Sequence, residues 1–174
     1  RHHAEDISPV VQQLRSIGID NISVDLMFGF PNQTLDEWKL DIQKALALRV
    51  EHISAYSLMY EEGTPLYQLL SNKKVKEIDD ELSLTMYQTL VDELKASRYE
   101  HYEISNFAKP GKRSQHNSSY WHAIPYLGIG ASAHSYDIQS RQWNVSNIKK
   151  YISSIEQGKI PFERECLDDD TRYN

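Results

Sequence analysis

The first 65 residues alternate between helical and extended hydrophobic patterns, and this alternation constrains the fold most. Residues 21–28 and 52–58 read as strands, and a helical pattern precedes each of them. Strands joined by a crossover helix pair in parallel within one sheet, because the helix carries the chain back to the same end. The sequence therefore predicts an αβαβ beginning with two parallel strands.

Two local signals indicate where the helices begin and end. Pro9 fits only the first turn of a helix, so we expect the first helix to begin at Ser8 and to stop at Gly18. Thr34, followed three residues later by Glu37, forms a capping box, in which each residue satisfies a backbone amide of the first turn. The second helix is therefore expected to begin directly after Thr34.

After residue 70 the regular alternation is replaced by a mixed pattern, in which turn-forming residues separate short segments. The expected elements are a helix over 80–95, a strand over 102–107, a loop over 109–119, a glycine-rich strand or turn over 126–136, a strand over 141–145 and a helix over 147–157. This second part is predicted to be a small α+β segment.

Composition and charge exclude several classes of protein. The chain has 174 residues, fewer than the roughly 250 of a complete closed (β/α) barrel. Its net charge of −6 argues against broad nucleic-acid binding, which needs a basic face. No stretch reaches the roughly 18 apolar residues of a membrane span. The single cysteine, Cys166, excludes an internal disulfide and an all-cysteine metal site, and it fits a reducing, cytoplasmic location.

Asp25 is the first candidate for chemistry. It alternates with Val24 and Leu26, so it lies on the polar face of an otherwise apolar strand. In a barrel the apolar face packs on the outer helices and the polar face looks into the lumen, where functional residues are common. The alternative is a carboxylate that caps a nearby backbone turn. The pattern alone leaves both interpretations open.

The second candidate is a histidine close to two aromatic residues, in the sequence His116-Asn117-Ser-Ser-Tyr120-Trp121. An imidazole can ligate a metal, and aromatic rings offer faces for a flat ligand. Tyr120 and Trp121 are adjacent, so only a turn or the start of a helix brings both to one ligand. The alternative is a loop anchored by two half-buried aromatic rings, with Trp121 packed on the third helix and His116 facing water.

A glycine-rich run, Gly128-Ile-Gly-Ala-Ser-Ala-His134, lacks bulky side chains and lets another backbone or a ligand approach closely. It is not a dinucleotide fingerprint, because it has no third glycine at the required spacing. His134 by itself is more typical of a structural histidine than of a ligand.

Together these segments resemble a known family. The stretches over residues 22–34 and 51–58, with Gly63-Thr64-Pro65, are similar to strands of the radical S-adenosylmethionine (SAM) proteins related to oxygen-independent coproporphyrinogen III oxidase. The stretches over 102–108 and 126–136, with the His116 to Trp121 motif, resemble the HemW branch of that family. Members of this branch are regarded as haem chaperones.

The resemblance implies an α/β fold, the C-terminal part of an incomplete (β/α) radical SAM barrel followed by a small α+β segment. Residues 1–70 would be the last βα units, 71–167 the extension of the barrel, and 168–174 the truncated start of a terminal domain. The chain, which opens without Met, is expected to be an internal piece of a longer protein. The family's Cys-x-x-x-Cys-x-x-Cys loop for a [4Fe-4S] cluster is absent, and Cys166 cannot replace it.

The resemblance also implies roles for particular residues. Asp25 matches a strand-end aspartate that hydrogen-bonds SAM, and Arg1 matches an arginine that contacts it. Met59 stands where the oxidase branch places a backbone contact to SAM, and His134 where that branch has an aliphatic contact. The motif associated with haem is matched by His116, Tyr120 and Trp121. SAM and the cluster would be cofactors of the longer protein, and no metal is expected in this chain.

The function implied by the resemblance is that of a haem chaperone, which binds haem and delivers it to an acceptor. The alternative is an oxygen-independent coproporphyrinogen III oxidase, which oxidatively decarboxylates propionate side chains. A third interpretation sets the resemblance aside and predicts an ordinary αβ enzyme with Asp25 as its acid or base. Without the cluster ligands, this chain is expected to have no SAM-cleaving activity.

Overall fold

The structure, a computed structural model, describes residues 3–168, and these divide into two compact units between Ser114 and Gln115. The resemblance implies a boundary after residue 70, between the last βα units of the barrel and its extension. That boundary stays a prediction. Of the predicted terminal segment over 168–174, all but Asp168 lies outside the described residues.

The described part of the first unit, residues 3–114, contains four helices and four strands. In chain order they are α1 (Ala4–Ser16), β1 (Ser23–Phe28), α2 (Leu35–Ala47), β2 (His52–Ser57), α3 (Pro65–Ser71), α4 (Asp80–Ala96), β3 (Glu100–His101) and β4 (Asn106–Ala108). The strands form one sheet in the order β1-β2-β4-β3. β1 and β2 are parallel, which confirms the predicted αβαβ beginning, while β3 and β4 form an antiparallel hairpin on the other side of β2.

One face of this sheet carries the core. Apolar residues of β1, β2 and β4 pack there against α1, α2 and α4. Trp38 of α2 is completely buried, its ring lies 5.1 Å from that of Phe28, and its indole N–H donates to the carbonyl of Met86 in α4 at 2.9 Å. These contacts join β1 to two helices, so the helical layer is fixed on this side of the sheet.

The capping box of α2 is confirmed. The amide of Glu37 donates to the Thr34 hydroxyl at 3.2 Å, and the Thr34 amide donates to the Glu37 carboxylate at 2.8 Å. The predicted start of α1 at Ser8 is wrong, because the helix begins at Ala4 and contains Pro9 in its interior. Acidic residues in the first turn stabilise this earlier start, since they lie at the positive end of the helix dipole.

One other sequence expectation for the first unit needs correction, and one helix was missed. The strand expected over 102–107 begins only at Asn106, because the backbone turns at Glu103, whose carbonyl accepts from the Asn106 amide at 3.4 Å. The turn at 63–65 starts a helix that was not predicted. Thr64 caps α3, with its hydroxyl accepting from the Tyr67 amide at 3.2 Å, and Pro65 takes the first helical position.

The second unit, as far as the structure describes it (residues 115–168), is a three-stranded antiparallel sheet with two helices. Its elements are α5 (Gln115–Trp121), β5 (His134–Tyr136), β6 (Ser140–Asn144), α6 (Ile148–Glu156) and β7 (Phe162–Cys166), and the strand order is β5-β6-β7. The loop expected over 109–119 is wrong from Gln115 onward, where α5 begins, and β7 was not predicted. No helix in residues 3–168 is both long and apolar enough to cross a membrane.

We predict that Trp38→Ala lowers the free energy of unfolding by about 3–5 kcal/mol, because it opens a cavity in the core and leaves β1 and α4 without their common contact. Urea denaturation measures this. Trp121→Ala is the matched control, since that side chain is 68% exposed and its loss should change stability by no more than about 0.5 kcal/mol. Equal losses in the two variants would contradict the packing described here.

Candidate functional site

The face of the first sheet opposite the helices is polar. The parallel register of β1 and β2 places three pairs of neighbours on this face. They are Ser23 beside His52, Asp25 beside Ser54, and Met27 beside Tyr56. The predicted alternation of β1 is thus confirmed, with Asp25 on the side away from the core.

His52 is the buried centre of this polar face, with only 4% of its surface exposed. Its Nδ1 lies 2.8 Å from the Ser23 hydroxyl, and its Nε2 lies 2.8 Å from the Tyr102 hydroxyl. The Ser114 amide donates to the same Tyr102 oxygen at 3.3 Å. Burial lowers the pKa of His52, while the Asp25 and Glu103 carboxylates oppose that shift. Sequence reasoning missed His52, whose signal was a polar residue in an otherwise buried strand.

Asp25 itself is exposed, and within residues 3–168 its carboxylate forms no hydrogen bond or ion pair. This contradicts the alternative that it caps a backbone turn. Met59 lies just beyond the end of β2 and is 73% exposed. Arg1, the third residue predicted to contact SAM in this part of the chain, lies outside the described residues.

A separate ionic cluster ties the beginning of β1 to β2 and to the chain after β4. The Glu51 carboxylate lies 3.3 Å from Arg15 and 3.4 Å from Lys109, and it accepts from the Ile22 amide at 3.2 Å. Burial alone would raise the pKa of Glu51, but the Ile22 amide and the two cations outweigh it, so the pKa is lowered. Glu51 has its partners within the fold, and we assign the cluster a structural role.

The second candidate site lies on α5. His116 and Tyr120 are four residues apart, so one helical turn brings them together. The His116 Nε2 lies 3.2 Å from the Tyr120 hydroxyl, and the two rings meet edge to face with centroids 5.1 Å apart. Trp121 is one residue further round the helix and is 68% exposed. The structure thus places the motif on a helix and not on a loop, with His116 exposed, as the alternative expected.

Aromatic contacts continue from this pair to residues that sequence reasoning missed. The Tyr120 ring meets the Tyr126 ring edge to face at 5.2 Å, and Tyr126 lies 6.1 Å from Tyr136. The backbones of Tyr126 and Tyr136 are joined by two hydrogen bonds of 2.9 Å. We call the side chains of His116, Tyr120, Tyr126 and Tyr136 the aromatic ladder. Its signal in the sequence was a tyrosine at each end of the glycine-rich segment.

Gly128 shows why that segment is rich in glycine. A Cβ at this position would lie 2.1 Å from the backbone oxygen of His134, so any side chain would clash with β5. The close approach lets the Gly128 amide donate to the Ser135 hydroxyl at 3.0 Å. Asn144 then donates to the carbonyls of Gly128 and Gly130, at 3.3 and 2.9 Å. The backbone that follows Tyr126 is therefore held by hydrogen bonds.

His134 lies in β5 of the second unit, opposite Trp143, with ring centroids 6.1 Å apart. Its side chain is exposed and borders an open depression of about 450 Å³, which Trp143 and Lys150 also line. Thus Asp25 and Met59 belong to the first unit, whereas His134 and the haem motif belong to the second.

The residues present do not fit an iron–sulfur cluster. Such clusters are held by several Cys thiolates, and this chain has one cysteine, Cys166, which is exposed. Within residues 3–168, no group of three His, Cys, Asp or Glu side chains could hold a metal ion.

Comparison with known proteins finds relatives whose sequences match most of this chain. The chain is 40% identical over 161 residues to the heme chaperone HemW of Bacillus subtilis (strain 168), covering 92% of this chain and 42% of that protein. It is 34% identical over 155 residues to the heme chaperone HemW of Lactococcus lactis, covering 88% of this chain and 41% of that protein. It is also 34% identical over 133 residues to the zebrafish (Danio rerio) radical S-adenosyl methionine domain-containing protein 1, mitochondrial. This match covers 76% of this chain and 30% of that protein. No protein-family profile matches the chain.

Among solved structures, the chain is similar to coproporphyrinogen III oxidase (HemN) from Escherichia coli, a radical SAM enzyme. The TM-score is 0.76 over 98% of this chain and 42% of that protein, at 18% sequence identity. This likeness shows the fold, which corresponds to the C-terminal part of the HemN structure.

In sequence the chain is similar to HemW and to a radical SAM domain-containing protein, and its fold is similar to part of HemN. The chain spans about two-fifths of the length of the two HemW proteins. Its sequence is HemW-like, as the motifs predicted.

His52 makes the stability of the first unit depend on pH. A histidine whose pKa is lowered in the folded state binds a proton more readily in the unfolded state. The free energy of unfolding therefore falls as the pH drops below about 6.5, the ordinary pKa of histidine. We predict that His52→Gln flattens this dependence, measured by urea denaturation between about pH 7.5 and 5.5. His122→Gln, at an exposed histidine, should leave the slope unchanged, and parallel slopes in all three proteins would refute the assignment.

Proposed function

We propose that this chain is part of a haem chaperone, which binds haem and passes it to an acceptor protein. The observation that carries the proposal is the exposed His116–Tyr120 pair on α5, at the start of the aromatic ladder. Support comes from the relatives of 34–40% identity, which are named heme chaperones. The compartment we propose is the cytoplasm, where the lone exposed Cys166 would remain reduced.

The chemistry of α5 suits a cargo that is bound and released. A neutral imidazole is a common iron ligand, and Tyr is also found in that role. Aromatic rings such as Tyr120 and Trp121 offer apolar surface to a porphyrin. Both side chains are at least half exposed, so haem bound there stays accessible to an acceptor. In the structure Nε2 of His116 is engaged by the Tyr120 hydroxyl, so iron binding through Nε2 must displace that hydrogen bond.

The polar face of the first sheet suits SAM. The exposed Asp25 carboxylate offers hydrogen-bond acceptors to the ribose hydroxyls or ammonium group of SAM. We propose that Asp25 binds SAM, that the Met59 backbone and Arg1 contribute further contacts, and that a [4Fe-4S] cluster is held by residues other than those of this chain. Bound SAM would supply radical chemistry, and the residues of this chain would bind and orient it.

A coproporphyrinogen III oxidase remains the alternative function. Its support is the structural likeness to HemN, which at 18% identity concerns the fold alone. The His116 to Trp121 motif and the curated relatives favour the chaperone. Porphyrinogen turnover by the full-length protein would support the oxidase, whereas stoichiometric haem binding without turnover would support the chaperone.

The test of the chaperone proposal is His116→Ala. We predict that this variant loses or shifts the Soret band of bound haem, while its melting temperature changes little because the side chain is exposed. Haem titration followed by absorbance, with a thermal melt, measures both. His122→Ala is the matched control, because this exposed histidine lies just after the end of α5. An unaltered spectrum and haem affinity in His116→Ala would return the motif to a structural role.

A second prediction concerns Asp25. In the full-length protein, Asp25→Ala should weaken SAM binding by about 10- to 150-fold, because it removes a hydrogen bond from an ionised group, worth about 1.5–3 kcal/mol. Calorimetric titration with SAM measures this. Asp20→Ala, which removes an exposed carboxylate outside the sheet, is the control. Unchanged SAM affinity in Asp25→Ala would show that this residue does not serve SAM.

A further inference from the structure

Tyr126 lies outside the His116 to Trp121 motif, yet it is the aromatic neighbour of Tyr120. Their rings meet edge to face at 79°, with centroids 5.2 Å apart, a favourable geometry for an aromatic pair. Tyr120 in turn contacts His116 through both its ring and its hydroxyl. A chain of direct contacts therefore runs from Tyr126 to the imidazole proposed to bind iron.

The two ends of this series of side-chain contacts differ in how firmly the structure holds them. α5 has seven residues, and helices this short are marginal without tertiary packing. Its last side chains, Tyr120 and Trp121, are 50% and 68% exposed, so burial holds them only weakly. Tyr126, by contrast, is fixed by two backbone hydrogen bonds to Tyr136, and the backbone after it is held at Gly128. The better-anchored ring is the one outside the motif.

We propose that Tyr126 is a positioning residue of the haem site, and this rests on the function proposed above. Its ring holds the Tyr120 ring, and through Tyr120 it sets the orientation of the His116 imidazole. The ring and not the hydroxyl does this, because within residues 3–168 the Tyr126 hydroxyl forms no hydrogen bond. Tyr136 supports Tyr126 through the backbone bridge between them and through its ring, whose centroid lies 6.1 Å from that of the Tyr126 ring.

The experiment compares Tyr126→Ala, Tyr126→Leu and Tyr126→Phe in the 174-residue chain, with ferric haem as the probe. Alanine and leucine should each weaken haem affinity by roughly 2- to 10-fold, the worth of one aromatic pair, and should shift or broaden the Soret band. Phenylalanine should restore the affinity to within about 2-fold and restore the spectrum. Leucine keeps most of the apolar volume, so it reports on the aromatic contact even where alanine unfolds the second unit.

Phe162→Ala is the matched control, since it removes a partly exposed ring on β7 of the same unit, outside the aromatic ladder. It should leave both the spectrum and the affinity unchanged. Wild-type haem affinity and spectrum in Tyr126→Leu would overturn the inference, provided His116→Ala loses haem. If His116→Ala binds haem like the wild type, or the chain binds none, the proposed function fails and this inference fails with it.

Discussion

The indole of Trp38 is the contact on which the first unit depends. It is buried between β1 and α4, and its N–H finds a partner in the carbonyl of Met86, so a large apolar ring is accommodated without an unpaired polar atom. With α2 and α4 fixed on one side, the opposite side of the sheet is left to polar residues. The polar face that carries Asp25 and His52 is thus a consequence of where the helices pack.

Much of this arrangement could be predicted from the sequence, because local chemistry determines it. The alternation around Asp25 predicted its face correctly, and the Thr34–Glu37 box predicted the start of α2. The errors arose where a second local signal or a tertiary contact overrides the preference used for the prediction. Pro9 lies within a helix that its acidic first turn extends backward, and α5 occupies a stretch whose composition indicated a loop. Propensity is a weak guide over seven residues, since tertiary contacts decide whether so short a helix forms.

The candidate sites were also predictable to different degrees, because local patterns indicate some of their residues and tertiary contacts bring in the others. The sequence indicated His116, Tyr120 and Trp121 as a motif, but adjacent residues on a helix point in different directions, and only His116 and Tyr120 meet. Tyr126 and His52 carried little local signal. Their partners are distant in sequence or depend on strand register, as with the Ser23 and Tyr102 hydroxyls on either side of His52. Such contacts become visible only when the sheet is assembled.

The position of β1 in its sheet has a practical consequence. Among the described strands β1 pairs only with β2, so along its other side the N–H and C=O groups of a six-residue strand have no neighbouring strand. An exposed edge of this kind is a template for strand addition and aggregation. Purified by itself at high concentration, the chain therefore has a route to self-association by edge-to-edge pairing of β1 between copies. Asp25 opposes that pairing, because it would bring two like charges together in the middle of the shared edge.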